Sequence, residues 1–302
     1  MAPPSHLLFV FLDGVGLGPP GAMNPLTARP LPAFRRLAGG ADWSAVAPAT
    51  RTPAHVFRSL DATLGLEGLP QSGTGQASLF SGVNCAALAG RHFGPYPHST
   101  SKPVLEAESV FARLRRAGHA AGDLAFANAY PDRFFRYAEG RSRWTVTTFS
   151  CRASGVRLRT AADLRAGRAL AADLTAAGWP GAEVPVVSEA EAGARLARLA
   201  AAHRFTLFEY FLTDKAGHAQ DAARAGAVLG ALDRFFGALL DARDPGTLLV
   251  VSSDHGNLED LSVKTHTRHP VPLVALGPRA GTLADAESLT DVTPGLVGLL
   301  AR

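Results

Sequence analysis

Leu248-Leu249-Val250-Val251-Ser252-Ser253-Asp254-His255-Gly256-Asn257 is the stretch from which the rest of the chain can be read. Its apolar half reads as a short buried strand. Its polar half puts a carboxylate, an imidazole and a turn glycine at the carboxyl end of that strand, where open α/β sheets gather their ligands. Working outward, the pattern recurs. Asp13 ends the run Leu7-Leu8-Phe9-Val10-Phe11-Leu12 and is followed by Gly14, Gly16 and Gly18. Asp214-Lys215-Ala216-Gly217-His218 follows the strand-like Phe205 to Leu212. His266, in Thr265-His266-Thr267-Arg268-His269-Pro270-Val271-Pro272, stands just ahead of the run Leu273 to Leu276. Each piece alone has an ordinary explanation: an Asp-Gly turn, an i,i+4 pair on a helix surface, a satisfied histidine. Four coincidences at strand edges are a poorer explanation than one site.

The donor chemistry sharpens the point. Asp13, Asp214, Asp254, His218, His255 and His266 supply three carboxylates and three imidazoles. Mixed oxygen and nitrogen donors suit Zn²⁺ or Mn²⁺ better than Mg²⁺ or Ca²⁺. Six donors exceed one four-coordinate ion and fit two. Two ions about 3.5–4 Å apart clamp the attacking and leaving oxygens of a displacement at phosphorus.

An attacking group is sought in Leu69-Pro70-Gln71-Ser72-Gly73-Thr74-Gly75-Gln76-Ala77-Ser78-Leu79-Phe80-Ser81-Gly82, small and hydroxyl-rich before it turns helical in pattern. A Ser or Thr at such a helix start sits in the positive end of the helix dipole. On this segment alone a linker or a plain N-cap is the simpler account. A nucleotide P-loop is not, because its Gly-x-x-x-x-Gly-Lys-Ser/Thr pattern is missing.

The ordered set Leu-Asp-Gly, Gln-Ser-Gly-Thr-Gly-Gln, Asp-x-x-Gly-His, Ser-Asp-His-Gly-Asn and His-Thr-x-x-Pro-Val-Pro resembles the alkaline phosphatase superfamily. Within it the resemblance is to the metalloenzyme core of cofactor-independent phosphoglycerate mutase and phosphopentomutase, over roughly residues 5–95 and 205–300. In that family the nucleophile precedes the glycine closing the small-residue helix turn. Counting back ten residues from Gly82 selects Ser72, with Thr74 as the fallback. The resemblance implies one ion on Asp13, Asp254, His255 and Ser72, and a second on Asp214, His218 and His266. His269 falls at a non-ligand position and is expected to contact substrate, as is Lys215. One departure stands out. The mutase motif has Glu-Val-Gly-His after its serine, whereas Gly73-Thr74-Gly75-Gln76 follows Ser72, which counts against the specific mutase activity.

With 302 residues, 47% of them apolar, the chain can bury one large core and a small accessory unit. The N-terminal apolar run is short, lacks a basic leader and ends in Asp13, so it reads as a core strand and not a signal peptide. No stretch approaches the ~20 apolar residues of a membrane span. The two cysteines, Cys85 and Cys151, match no metal or redox spacing, and a reduced cytoplasmic protein is expected. The net charge of +4 is carried almost entirely by arginine, since lysine occurs only at Lys102, Lys215 and Lys264. No basic run is interleaved with aromatics, which argues against nucleic-acid binding. Nothing in the sequence specifies an oligomeric state.

Strand and helix patterns alternate in two stretches, implying an α/β fold with a mostly parallel sheet covered by helices on both faces. The first has strands at Leu7–Leu12 and Leu124–Ala127 and helices at Ser72–Ala87 and Val110–Ala117. The second has strands at Leu207–Leu212, Leu248–Val251 and Leu273–Leu276, a helix over Ala222–Leu240 and a closing helix from Pro294. Between them, residues 130–198 break the rhythm with an aromatic and arginine-rich start and an Ala-rich continuation. The expected organisation is a core of residues 1–129 and 199–302 with 130–198 as a small inserted cap. Arg133 and Arg136 head the cap arginines that could close over an anion. The expected function is metal-dependent phosphoryl transfer on a small anionic phosphorylated substrate. A phosphohydrolase working through a phosphoserine is favoured by the short cap. The alternatives are a phosphomutase, or a non-catalytic metal-binding protein on the same fold.

Overall fold

A computed structural model describes residues 3–181 and 184–301. Seven strands form one sheet: β1 His6–Leu12, β2 Thr50–Arg51, β3 His55–Leu60, β4 Leu124–Phe126, β5 Phe205–Tyr210, β6 Thr247–Ser252 and β7 Val271–Leu276. Their order is β2-β3-β7-β6-β1-β5-β4. The pairs β4–β5, β5–β1 and β1–β6 are parallel, while β6–β7, β7–β3 and β3–β2 are antiparallel. So β1, β3, β4, β5 and β6 run one way and β2 and β7 the other. The parallel half matches the alternating pattern of the sequence. The β2–β3 hairpin at the far edge does not stand out in it, because His55 and Arg58 interrupt the apolar run.

β1 shows why the sheet forms. Leu7, Phe9 and Phe11 enter one apolar cluster and Leu8, Val10 and Leu12 the other, and all six are fully buried. Alternate side chains of a strand point to opposite faces, so a continuous apolar run demands helices on both. Each such side chain contributes roughly 1.5–3 kcal/mol on burial. The first face is covered by the helices Ser72–Ser81, Val110–Arg116, Val146–Ala153 and Val292–Leu300, through residues such as Phe80, Phe111, Val146 and Leu296. The second is covered by Pro32–Leu37, Glu189–Ala201 and Ala222–Ala242, through Phe34, Leu196, Phe235 and Phe236.

The helix read from Ser72 to Ala87 stops earlier. Gly82 adopts a left-handed φ of 77° and a separate short helix, Cys85–Ala89, follows. A Cβ at Gly82 would lie 2.7 Å from Cδ of Pro294, so this turn also needs the absence of a side chain. The Phe205–Tyr210 strand likewise ends before the expected Leu212, because Leu212–Ala219 is already helical.

Residues 130–198 add no strand to the sheet among the described residues. Their packing divides them. Val146, Cys151 and Val156 are buried in the first core cluster, and the helix Glu189–Ala201 is part of the cover of the second face. The pieces that stand over the carboxyl edge of the parallel strands are the Asp132–Arg141 helix with its flanks and the segment around Ala171–Pro180. Cys85 and Cys151 are buried free thiols. Among the described residues, no helix is long and apolar enough to cross a membrane.

Candidate metal centre

Strand order alone brings the Asp and His residues together. β1 lies between β6 and β5, so Asp13 after β1 is flanked by the segments after β6 and β5, which carry Asp254-His255 and Asp214. The direction of β7 explains why His266 precedes its strand. β7 is antiparallel to β6, so its start lies at the edge where β6 ends, and a bridge between Gly256 and Thr267 ties the two loops. The chains approach closely here. Gly14 has a φ of +69°, and a Cβ on it would lie 2.8 Å from Oδ1 of Asp214. A Cβ on Gly75 would lie 2.8 Å from the carbonyl oxygen of Asp254.

In the first group, Nε2 of His255 lies 3.3 Å from Oδ1 of Asp13, 3.4 Å from Oδ2 of Asp254 and 2.9 Å from Oγ of Ser72. Those two carboxylate oxygens are buried and receive no hydrogen bond. Burial, reinforced by Asp254, pushes Asp13 up to about 7. Burial also pushes Asp254 up to about 6, against the pull of His255. Burial works against a charged His255, but Asp254 and Asp13 outweigh it and raise the imidazole to about 10.

In the second group, Nε2 of His266 is 3.5 Å from Oδ1 of Asp214, and Nε2 of His218 is 3.4 Å from Oδ2. Nδ1 of His266 donates to the Pro70 carbonyl at 2.7 Å, and Nδ1 of His218 to the Lys264 carbonyl at 2.8 Å. A carbonyl can only accept, so in the neutral rings both Nε2 atoms carry lone pairs. These face each other at 3.2 Å beside Asp214. Asn257 Nδ2 fixes Asp214 by donating to its Oδ1 at 2.6 Å. Burial would raise Asp214, yet His266, His255, Asn257 and His218 together lower it to about 2.

Both groups fit a divalent cation. Buried carboxylate oxygens without donors and converging imidazole lone pairs are unfavourable unless a positive charge sits between them. Asp13, Asp254 and His255 can offer donor atoms within 4.8 Å of one another, and so can Asp214, His255 and His266. His255 belongs to both triads and is where they meet.

Ser72 begins its helix at this edge and opens onto a cavity of about 940 Å³ whose wall includes Asp13, Gln76, Asp214 and Lys215. Thr74 is fully buried instead, and its Oγ1 accepts from the Phe93 amide at 3.0 Å. Arg133 lines the cavity, whereas Arg136 is exposed and does not. His269 is turned away from it. Its Nδ1 lies 3.0 Å from Oε1 of buried Glu259, which also accepts from the amides of Gly16 and Asn257 at 2.8 Å. That makes His269 part of a loop brace rather than of the cavity wall.

Two residues on the wall are new relative to the sequence reading. Gln76, one turn along the helix from Ser72, donates Nε2 to Oδ2 of Asp13 at 3.3 Å. Glu209 on β5 is buried, accepts from Oγ1 of Thr147 at 2.6 Å and is raised to about 7, chiefly by burial. An ionisable residue inside an otherwise apolar strand was the available signal for Glu209. The i,i+4 spacing from Ser72 was the signal for Gln76.

Known proteins resemble this chain in part of its sequence and in fold. The model of the Metalloenzyme superfamily matches residues 181–301, which hold Asp214, His218, Asp254, His255 and His266. A 2,3-bisphosphoglycerate-independent phosphoglycerate mutase of Cereibacter sphaeroides is 33% identical over 99 residues, 30% of this chain and 20% of that one. A phosphopentomutase of a Methylobacterium species is 36% identical over 78 residues, 25% of this chain and 19% of that one. The chain thus matches about a fifth of the length of these relatives. The alkaline phosphatase of the Antarctic bacterium TAB5 superposes with a TM-score of 0.53 at 11% identity, over 99% of each chain. The chain therefore carries a Metalloenzyme-superfamily segment, residues 181–301, on the alkaline phosphatase fold.

Proposed function

We propose that this protein is a phosphoryl-transfer metalloenzyme, acting as a phosphohydrolase on a small phosphomonoester through a phosphoserine at Ser72. The observation that carries this reading is the position of Ser72 Oγ. It sits 2.9 Å from His255, where the two Asp/His groups meet, at the start of a helix and on the wall of the cavity. Two divalent ions, Mn²⁺ or Zn²⁺, would be held by Asp13, Asp254, His255 and Ser72 and by Asp214, His218 and His266. When bound they supply charge neutralisation and polarisation of the phosphoryl group.

The chain's own residues do the rest. The start of the Ser72–Ser81 helix places Ser72 so that Oγ faces both donor groups and the cavity where substrate enters. Attack forms the Oγ–P bond and breaks the ester P–O bond, and the proton lost from Ser72 passes to the leaving alkoxide. Water then cleaves the Oγ–P bond and restores the serine with release of phosphate. The N-terminal end of the Ser72–Ser81 helix favours the negative charge of the phosphoserine. Lys215 and Arg133, both on the cavity wall, hold anionic parts of the substrate. Within residues 130–198, the parts near Pro131–Thr145 and Ala171–Pro180 act as the cap over the cavity, while Val146–Ala153 and Glu189–Ala201 pack with the core of 1–129 and 199–302.

A phosphomutase is the second reading, favoured by the names of the relatives that match. It differs only in what accepts the phosphoryl group from Ser72. The test is to incubate Mn²⁺- or Zn²⁺-loaded protein with a panel of phosphorylated metabolites and score free phosphate and isomerised product separately. Free phosphate supports the hydrolase, and isomer without phosphate supports the mutase. Neither product from any member would remove the phosphoryl-transfer reading and leave a metal-binding protein.

A further inference from the structure

The cavity beside Ser72 has two unlike ends. One carries Asp13, Ser72, Gln76 and Asp214. The other is walled by the rings of Tyr96, Tyr130, Phe134 and Trp179, with alanine and proline between them. These rings are organised rather than scattered. Tyr130 and Phe134 stack with centroids 4.1 Å apart and planes 28° apart, and Trp144 packs edge-on to Phe134 at 5.9 Å.

Three polar side chains that line the cavity, Asn128, Asp173 and Thr145, are already engaged, while Arg133 is left to meet an anionic group. The Asn128 amide both donates to the Glu209 carbonyl at 2.7 Å and accepts from the Glu209 amide at 2.9 Å. The Asp173 carboxylate accepts from the Ala176 and Gly178 amides at 2.8 and 2.7 Å. The Thr145 hydroxyl is 2.8 Å from that of Thr148. A glycerate or a pentose needs several free hydrogen-bond partners around its hydroxyls, and burying them unmatched is costly. A flat apolar group loses nothing on that wall and gains stacking.

Resting on the phosphoryl-transfer reading above, we infer that the substrate is a phosphomonoester whose organic group is aromatic or otherwise planar and apolar, seated between Phe134 and Trp179. The phosphate faces Ser72 and the ring faces the cap. Selectivity then lies in the cap, and a polyol ester is a poor substrate.

The experiment uses the Mn²⁺-loaded protein with 2-phenylethyl phosphate, glycerol 3-phosphate and ribose 5-phosphate. All three leave as alkoxides, so differences report on the organic group. The expected KM for the phenylethyl ester is about tenfold below the other two. That preference is expected to disappear in Trp179→Ala and Phe134→Ala, with metal content unchanged. An equal or higher KM for the phenylethyl ester, or a preference that survives both substitutions, overturns the assignment. A second arm needs no turnover. Ser72→Ala protein is titrated calorimetrically with 2-phenylethylphosphonate and with 3,4-dihydroxybutylphosphonate, its polyol counterpart. Aryl binding about tenfold tighter, with no ester turned over by the unsubstituted protein, keeps the aromatic seat and overturns phosphoryl transfer. Equal binding of the two phosphonates overturns the aromatic seat whatever the turnover.

Discussion

The imidazoles of His255 and His266 stack face to face, with centroids 3.8 Å apart and planes 15° apart. One ring reaches Asp13, Asp254 and Ser72, and the other reaches Asp214 and His218. The two donor groups therefore share a wall two rings thick. Anything that changes the charge of one ring is felt by the other.

Metal loading should be visible as a change in both stability and protonation. Asp13 and Asp254, raised to about 7 and about 6, hold protons more tightly folded than unfolded, so their contribution falls as pH rises through those values. His255, raised to about 10, contributes below its ordinary 6.5 and loses that contribution as pH rises through about 10. All three act in the same direction. The metal-free protein should lose thermal stability from about pH 4 to about pH 10, and Mn²⁺ or Zn²⁺ should restore it. Loading at pH 7 should release about one proton or more, because a ligating imidazole must be deprotonated. Calorimetry in buffers of different ionisation enthalpy measures this. No proton release and no Tm rise on metal addition would remove the metal centre, and Asp254→Asn should lower bound metal below that of the unsubstituted protein.

Ser72 and Thr74 are separated by their surroundings. Ser72→Ala should lower turnover about a thousandfold or more with the fold and the metal retained. Thr74→Val should keep activity within about tenfold and cost about 1–2 kcal/mol of stability, because Thr74 Oγ1 serves the Phe93 backbone. Chemical denaturation alongside steady-state rates distinguishes them. The reverse pattern would move the nucleophile to Thr74.

Arg133 and Arg136 lie one turn apart on the same cap helix, but only Arg133 is on the cavity wall. Arg133→Ala should raise KM about tenfold with metal content unchanged, and Arg136→Ala should leave both near their starting values. Equal effects of the two substitutions would show that the cap does not orient substrate through Arg133.

Asp163 is a purely structural case. Its buried carboxylate takes both guanidinium nitrogens of Arg157 at 2.8 Å and the Thr160 amide at 3.0 Å. Arg157 is the main reason it falls from the ordinary 3.8 to about 2. A depressed carboxylate stabilises above its unfolded value, so this contribution should hold at neutral pH and vanish between about pH 4 and pH 2. Asp163→Ala should cost about 1–3 kcal/mol at pH 7 and little at pH 2. Urea melts at both values check it, and an equal loss at the two would assign the effect to packing.

Much of the site was legible because each of its pieces is local. Asp13, Asp214 and Asp254 follow apolar runs, and a run that buries both faces must be a central strand whose end is an edge of the sheet. The same logic foretold the helices over Ala222–Ala242 and Val110–Arg116 to within two residues. The extent of the cap was less legible, because Glu189–Ala201 has the same Ala-rich pattern whether it covers the sheet or an insertion. His269 and Glu259 show the limit most clearly. Both are polar residues in loops near the site, and only the folded chain shows that they stand 3.0 Å apart.

The sequence by itself determined the candidate donors, their types and the strands that carry them, since hydrophobic periodicity and Asp/His spacing are properties of short segments. Only the tertiary structure decided which donors face each other, that Gln76 and Glu209 stand on the same wall, and that the cavity's far end is aromatic. Those facts depend on strand order and on the antiparallel turn of β7. Such relations between distant segments are set by how the two faces of the sheet bury their side chains, not by any one stretch of chain.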